Sequence, residues 1–251
     1  MSGHSHWSTI RRKKGAADAK RGQLFTKLAK EITIAAREGG GDPGMNLRLQ
    51  YAIDRAKSQN MPKDNIERAI KRGTGELKDG IQIEEITYEG YAPSGIALMM
   101  ECVTDNRNRA VADLRHTLSK TGGTFAEAGS VAWQFTRISY FAFPLNDHDP
   151  DEIFELAVEA GADDVTFEDE LVEIIAAVES FKEISDRLKE DNIEPEEAEL
   201  RMIPNNEVEL DVDETIQVLK VIETIEELDD VQRVFSNLKL TDQVMEKLET
   251  T

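Results

Sequence analysis

Hydrophobic spacing changes character once along this chain, at the turn-like Gly73-Thr74-Gly75, and the change dictates a helical module joined to a mixed α/β body. Before it, Phe25, Leu28, Ala29, Ile32 and Ala36 recur at helical spacing and predict an amphipathic helix over 16–38 that Gly39-Gly40-Gly41 ends. Asp42-Pro43 signals a second start, with Leu49, Ile53 and Ala56 as its apolar stripe up to Ser58. Pro62 and Asp64 open a third helix, which carries Ile66, Ala69 and Ile70 inward before Gly73. A small three-helix unit follows.

Beyond the turn, strands alternate with helices. Ile83, Ile86, Tyr88 and Tyr91 form a β-prone run, Pro93-Ser94-Gly95 turns the chain, and 96–103 reads as a buried strand. Asp105 or Asn106 caps a helix bearing Val111, Leu114, Leu118 and Thr121 that Gly122-Gly123 ends, and Val131, Trp133 and Phe135 alternate as a strand. Residues 138–203 then read strand, helix, strand, strand, helix, strand, which is the βαββαβ order of a ferredoxin-like unit. A strand at Val208 and Leu210, a helix over 215–228 and a strand over 231–235 form a further βαβ. Joined to the βαβ of 95–136, it completes a second ferredoxin-like domain interrupted by the first. The expected class is α+β: a basic helical domain (1–77), a discontinuous ferredoxin-like domain (78–136 and 205–251), and an inserted βαββαβ domain (137–204).

Charge divides along the same line. Residues 1–80 hold 17 Lys and Arg against 9 Asp and Glu, whereas 81–251 hold 13 against 41, so a net of plus 8 meets a net of minus 28. Within the first thirty residues Arg11, Arg12, Lys13, Lys14, Lys20, Arg21, Lys27 and Lys30 are opposed by Asp18 alone. Such a basic end can neutralise phosphates, while an acidic body repels the same polyanion and restricts how a complex is oriented. On a helical wheel Lys20 and Lys27 lie together, with Lys30 and Arg37 further round, away from the apolar stripe. The expectation is a one-sided positive surface offered to nucleic acid, either ribosomal RNA or DNA.

Other classes find less support. No apolar run nears the ~20 residues of a membrane span, and the N-terminal segment lacks the apolar core of a secretory signal, so a cytoplasmic monomer without a membrane partner is expected. Cys102 is the one cysteine and lies in an apolar run, which reads as a buried reduced thiol. Gly39-Gly40-Gly41 follows a helix and lacks the Lys-Ser/Thr of a phosphate-binding loop. His4 and His6 have no cysteine or carboxylate cluster beside them, His116 has no nucleophile at triad spacing, and acidic runs such as Glu168-Asp169-Glu170 read as solvated. No catalytic residue, cofactor or metal ligand is expected, which counts against the further alternative of an enzyme or small-molecule sensor built on the α/β domains. Two further candidates are Trp7, which can stack on an unpaired base or pack as an anchor, and the pair Arg107 and Arg109, which stand at a helix start where phosphate can bind.

The residues also carry a resemblance. Gly3-His4-Ser5-His6-Trp7, Phe25-Thr26-Lys27-Leu28, Ala36-Arg37-Glu38-Gly39-Gly40-Gly41-Asp42-Pro43, Asn60-Met61-Pro62-Lys63-Asp64-Asn65-Ile66, Tyr88-Glu89-Gly90-Tyr91, Thr104-Asp105-Asn106-Arg107-Asn108-Arg109, Gly129-Ser130-Val131 and Met202-Ile203-Pro204-Asn205 follow one another as they do in the YebC family, which the chain resembles over nearly its whole length. The resemblance implies an N-terminal helical domain with two α/β domains. It also implies regulation of gene expression, either as a DNA-binding transcriptional regulator or as a translation factor at the ribosome. We favour the ribosome-associated reading, because the helical unit lacks an obvious helix-turn-helix pair with a polar base-reading face. Two departures stand out: His6 occupies a position usually held by Lys, and 136–140 lacks the family's basic-glycine turn.

Overall fold

A computed structural model describes residues 18–77, 83–146, 148–168 and 170–249. Three helices come first: α1 (Asp18–Gly39), α2 (Leu47–Ser58) and α3 (Lys63–Gly73). Their shared core joins Leu28, Ile32, Ala35 and Ala36 to Leu49, Ile53, Ala56, Ile66 and Ala69. The second helix starts later than Asp42-Pro43 suggests, because Asn46 is the better cap. Its Oδ1 accepts from Leu49 N at 3.1 Å, while its Nδ2 donates to Ala35 O at 2.7 Å and Gly40 O at 2.8 Å, tying α2 to the end of α1. The third helix closes tightly on the first. A Cβ at Gly73 would stand 2.4 Å from Thr33 O, so no larger residue fits there.

The α/β body continues with β1 (Glu84–Tyr91), β2 (Ala97–Thr104), α4 (Arg107–Thr121) and β3 (Thr124–Ala126). It resumes near the C-terminus with α7 (Val212–Glu226), β8 (Val231–Ser236) and α8 (Asp242–Glu249). The sheet order is β3-β1-β2-β8, built on a β1–β2 hairpin in which Tyr88 faces Met100 and Glu89 faces Met99. Leu98, Met100 and Cys102 of β2 pack with Leu114 and Leu118 of α4 and Val218, Ile222 and Ile225 of α7. The chain therefore builds this sheet from a leading hairpin, not from two βαβ units.

Two expected strands are corrected. Residues 131–134 form no strand, because Ala132–Gln134 is a 3₁₀ turn and Phe135 opens the next element. The cause is Glu89, whose carboxylate takes the N–H groups of Gly129 (2.6 Å), Val131 (2.6 Å) and Ala132 (3.0 Å), leaving them unavailable to a ladder. Val208 contributes only an isolated parallel bridge to Leu238.

A second compact unit spans Phe135–Ile203. Its order is β4 (Phe135–Pro144), α5 (Pro150–Glu159), β5 (Ala162–Glu168), β6 (Leu171–Ala176), α6 (Phe181–Glu190) and β7 (Glu197–Pro204), and its sheet runs β5-β6-β4-β7. This is the ferredoxin-like arrangement, with the split βαβ pairs placing both helices on one face. Phe141, Phe143, Val172 and Ile174 meet Ile153, Leu156, Ile184 and Leu188 in its core. Among the described residues no helix is long and apolar enough to cross a membrane.

The residues that flank this unit are neighbours, since Asn205 N donates to Gln134 O at 2.7 Å. Short closure is therefore available without distortion. Replacing 135–203 by a short Gly-Ser linker is expected to leave the remaining chain folded with one cooperative thermal transition. A broad, non-cooperative melt of that shortened chain would show that the rest depends on the inserted unit.

Candidate nucleic-acid interface

Helix α1 has two occupied faces. Opposite the stripe that packs on α2 and α3, Gln23, Lys27, Lys30, Ile34 and Arg37 recur at three- and four-residue intervals and meet the α/β body. Ile34 is fully buried against Ile83 and Val103. Gln23 donates to Glu227 O at 3.3 Å and to Asp229 Oδ1 at 3.0 Å, and Lys27 Nζ donates to Glu226 O. Lys30 Nζ reaches Asp229 O at 2.9 Å and Asp230 Oδ1 at 2.7 Å, and Arg37 donates to Ile83 O. The acceptors at 226–230 lie where α7 ends. The last carbonyls of a helix have no acceptor role within it, and together with the negative end of the helix dipole they favour cations there.

Asp230 is the centre of this joint. Its side chain is only 5% exposed, yet it meets Lys30 and the guanidinium of Arg109, whose Nε and Nη2 approach both carboxylate oxygens at 2.8–2.9 Å. Burial alone would raise its pKa, but the hydrogen bonds from Lys30 and Arg109 hold it below the ordinary aspartate value. Arg109 also binds Asp105 at 2.7 Å. Cys102 is fully buried; desolvation, with Asp230 second, pushes its thiol up to about 12.

The expected surface is thus not offered whole to solvent. Lys27, Lys30 and Arg37 are engaged with the body, Arg109 with Asp230, and Arg107 with Glu84, which accepts from Nε at 3.0 Å. Arg21 stays exposed, its guanidinium carbon 5.7 Å from the centre of the Phe25 ring. Trp7, Arg11, Arg12, Lys13 and Lys14 lie outside the described residues, as does the side chain of Lys20 on the first turn of α1. Sequence spacing did not single out Arg68 and Lys71, which are exposed on one side of α3 at i, i+3. Their signal was the same helical periodicity, read on the polar side.

The fold has known counterparts. Residues 5–76 match the family described as TACO1/YebC protein N-terminal domain, and 83–238 match TACO1/YebC second and third domain. The chain belongs to the TACO1/YebC family. A "probable transcriptional regulatory protein" of Geotalea uraniireducens is 51% identical over 248 residues, covering 99% of this chain and 100% of that one. One of the same description from Acidithiobacillus ferrooxidans is 50% identical over 251 residues, covering all of both. The crystal structure of a conserved hypothetical protein from Aquifex aeolicus superposes with a TM-score of 0.80 at 42% identity, over 90% of this chain and 93% of that one.

For this TACO1/YebC member, removing the Asp230 charge strands Lys30 and Arg109 beside one another. Asp230→Ala is expected to lower unfolding free energy by roughly 3 kcal/mol in urea titration, the scale for breaking a buried pair. The pH dependence follows from the lowered native value. The stabilisation is complete above the unfolded-state value of about 3.9 and is lost as pH falls through the native value. Stability should therefore fall more steeply below about pH 4 in the wild type than in Asp230→Asn; equal slopes would remove Asp230 from the joint.

Proposed function

We propose that this protein is a non-enzymatic regulator of gene expression that binds nucleic acid through the N-terminal end of its helical domain, acting in the cytoplasm as a ribosome-associated translation factor in contact with ribosomal RNA. The observation that carries this reading is the segregated charge. Arg11, Arg12, Lys13, Lys14, Lys20 and Arg21 face only Asp18 in their stretch of sequence, whereas Lys27, Lys30 and Arg37, further along α1, hydrogen-bond the body. Phosphate binding is thereby expected on the basic residues that precede Gln23 in sequence. The relatives' description as probable transcriptional regulatory proteins supports the coarser role and favours a second reading, DNA-bound transcriptional control. Helix α3, which follows α2 after a short turn, argues against it. Its first turns mix signs, Asp64 and Glu67 beside Lys63 and Arg68, with Lys63 paired to Glu67 at 3.6 Å, instead of presenting the polar base-reading face of a recognition helix.

Binding measured against salt separates the residue groups. In Arg12→Glu/Lys13→Glu/Lys20→Glu, affinity for ribosomal RNA should fall and the slope of log K against log salt should flatten by about 0.7–0.9 per lost contact. Lys27→Ala should change stability first and the slope little. Ribosome co-sedimentation compared with duplex DNA binding at matched salt then chooses between the two readings. An unchanged slope in the triple variant, with helical content intact, would overturn the N-terminal assignment.

A further inference from the structure

Trp133 is 72% exposed, although the loop that carries it is held by hydrogen bonds from several directions. The buried Glu89 carboxylate gathers three amides of 129–132, and these hydrogen bonds hold it below the usual carboxylate range although its desolvation acts the other way. Tyr91 Oη donates to Ser130 O at 3.3 Å, and Asn205 Nδ2 donates to Trp133 O at 3.1 Å. Asn237 Nδ2 donates to Gln134 Oε1 at 3.1 Å. The indole is fixed as well, since its Nε1 donates to Ser130 O at 3.1 Å. With that donor engaged, the ring offers a partner only its apolar faces and their negative π density.

We propose that Trp133 is a preorganised docking anchor for an arginine-bearing segment of a partner protein. The local charge selects this occupant. Segments 126–134 and 204–210 contain no Lys or Arg but carry Glu127, Glu207 and Glu209, all exposed, and Glu209 is paired with Lys239 at 2.7 Å. Arg137, the nearest arginine in sequence, belongs to the other compact unit. Surfaces that bind single-stranded nucleic acid combine stacking aromatics with a positive groove, and these segments supply no positive charge for one. A guanidinium, by contrast, gains both from the π face and from the carboxylates, and it is weakly enough hydrated to stack. Rigid, exposed aromatics lose little entropy on binding, which is why they serve as interface anchors.

The test uses the full chain with Trp7→Phe, so that Trp133 is the only tryptophan. Titration with an Arg-Gly repeat peptide should change its fluorescence, and a Lys-Gly repeat of equal charge should bind more weakly. Replacement by Ala should weaken Arg-Gly peptide binding in calorimetry by roughly two- to fivefold, the scale of an exposed cation–π contact, while Trp133→Phe retains most of it. Because neither variant changes net charge, general attraction to the acidic body stays constant across the set. Unchanged affinity in Trp133→Ala would overturn the proposal. So would an oligouridylate that quenches Trp133 at concentrations where the peptide does not, which would make the ring a base platform.

Discussion

Asp230 is a carboxylate nearly removed from water that holds cations from two separate parts of the chain, and the seating of the helical domain rests on it. A buried acid of this kind is tolerable only with its partners in place, because the desolvation cost of each ion is otherwise several kcal/mol. Lys30 comes from α1, Arg109 from the first turn of α4, and the acid from the turn after α7. Three elements distant in sequence are therefore positioned together. Ile34 beside them supplies the apolar contact with Ile83 and Val103 that a charge cluster lacks.

A second buried acid plays the corresponding part at the other end of the body. Glu89 satisfies amides of a loop that would otherwise need a strand partner, and the same loop delivers the chain to Phe135. The return at Asn205 is tied back to Gln134. An inserted unit can be accommodated where its two connections start beside one another, because the host then loses little chain entropy to the interruption.

The order of elements within 135–204 was legible because its strands and helices are long and strongly periodic, and each is set mainly by local pattern. The three-helix unit was legible for the same reason. What escaped depended on distant partners. Nothing near Val131 says that Glu89 will claim its amide, and β3, only three residues long, exists through its register with Tyr91, Gly90 and Glu89. The candidate interface was misjudged in an instructive place. A basic face looks solvated on a helical wheel, but Ile34 lies within it, between Lys30 and Arg37, and an apolar residue on a polar face was the available sign that this side meets another domain.

That sign changes where a polyanion can approach on the proposed function. The Debye length at physiological salt is about 8 Å, so the large negative charge of the body acts mainly through the carboxylates closest to the docking path. Beside α1 those are the exposed Glu227 and Asp229, which face Gln23 and Lys30. A phosphate backbone running along α1 would meet repulsion at Gln23 and beyond it, while the stretch ahead of Gln23 carries six of the basic residues and one acid. The body thus acts as a stop as well as a support. It pairs with the cations it needs for its own seating, and on the proposed function its exposed acids would confine the remaining attraction to the stretch ahead of Gln23.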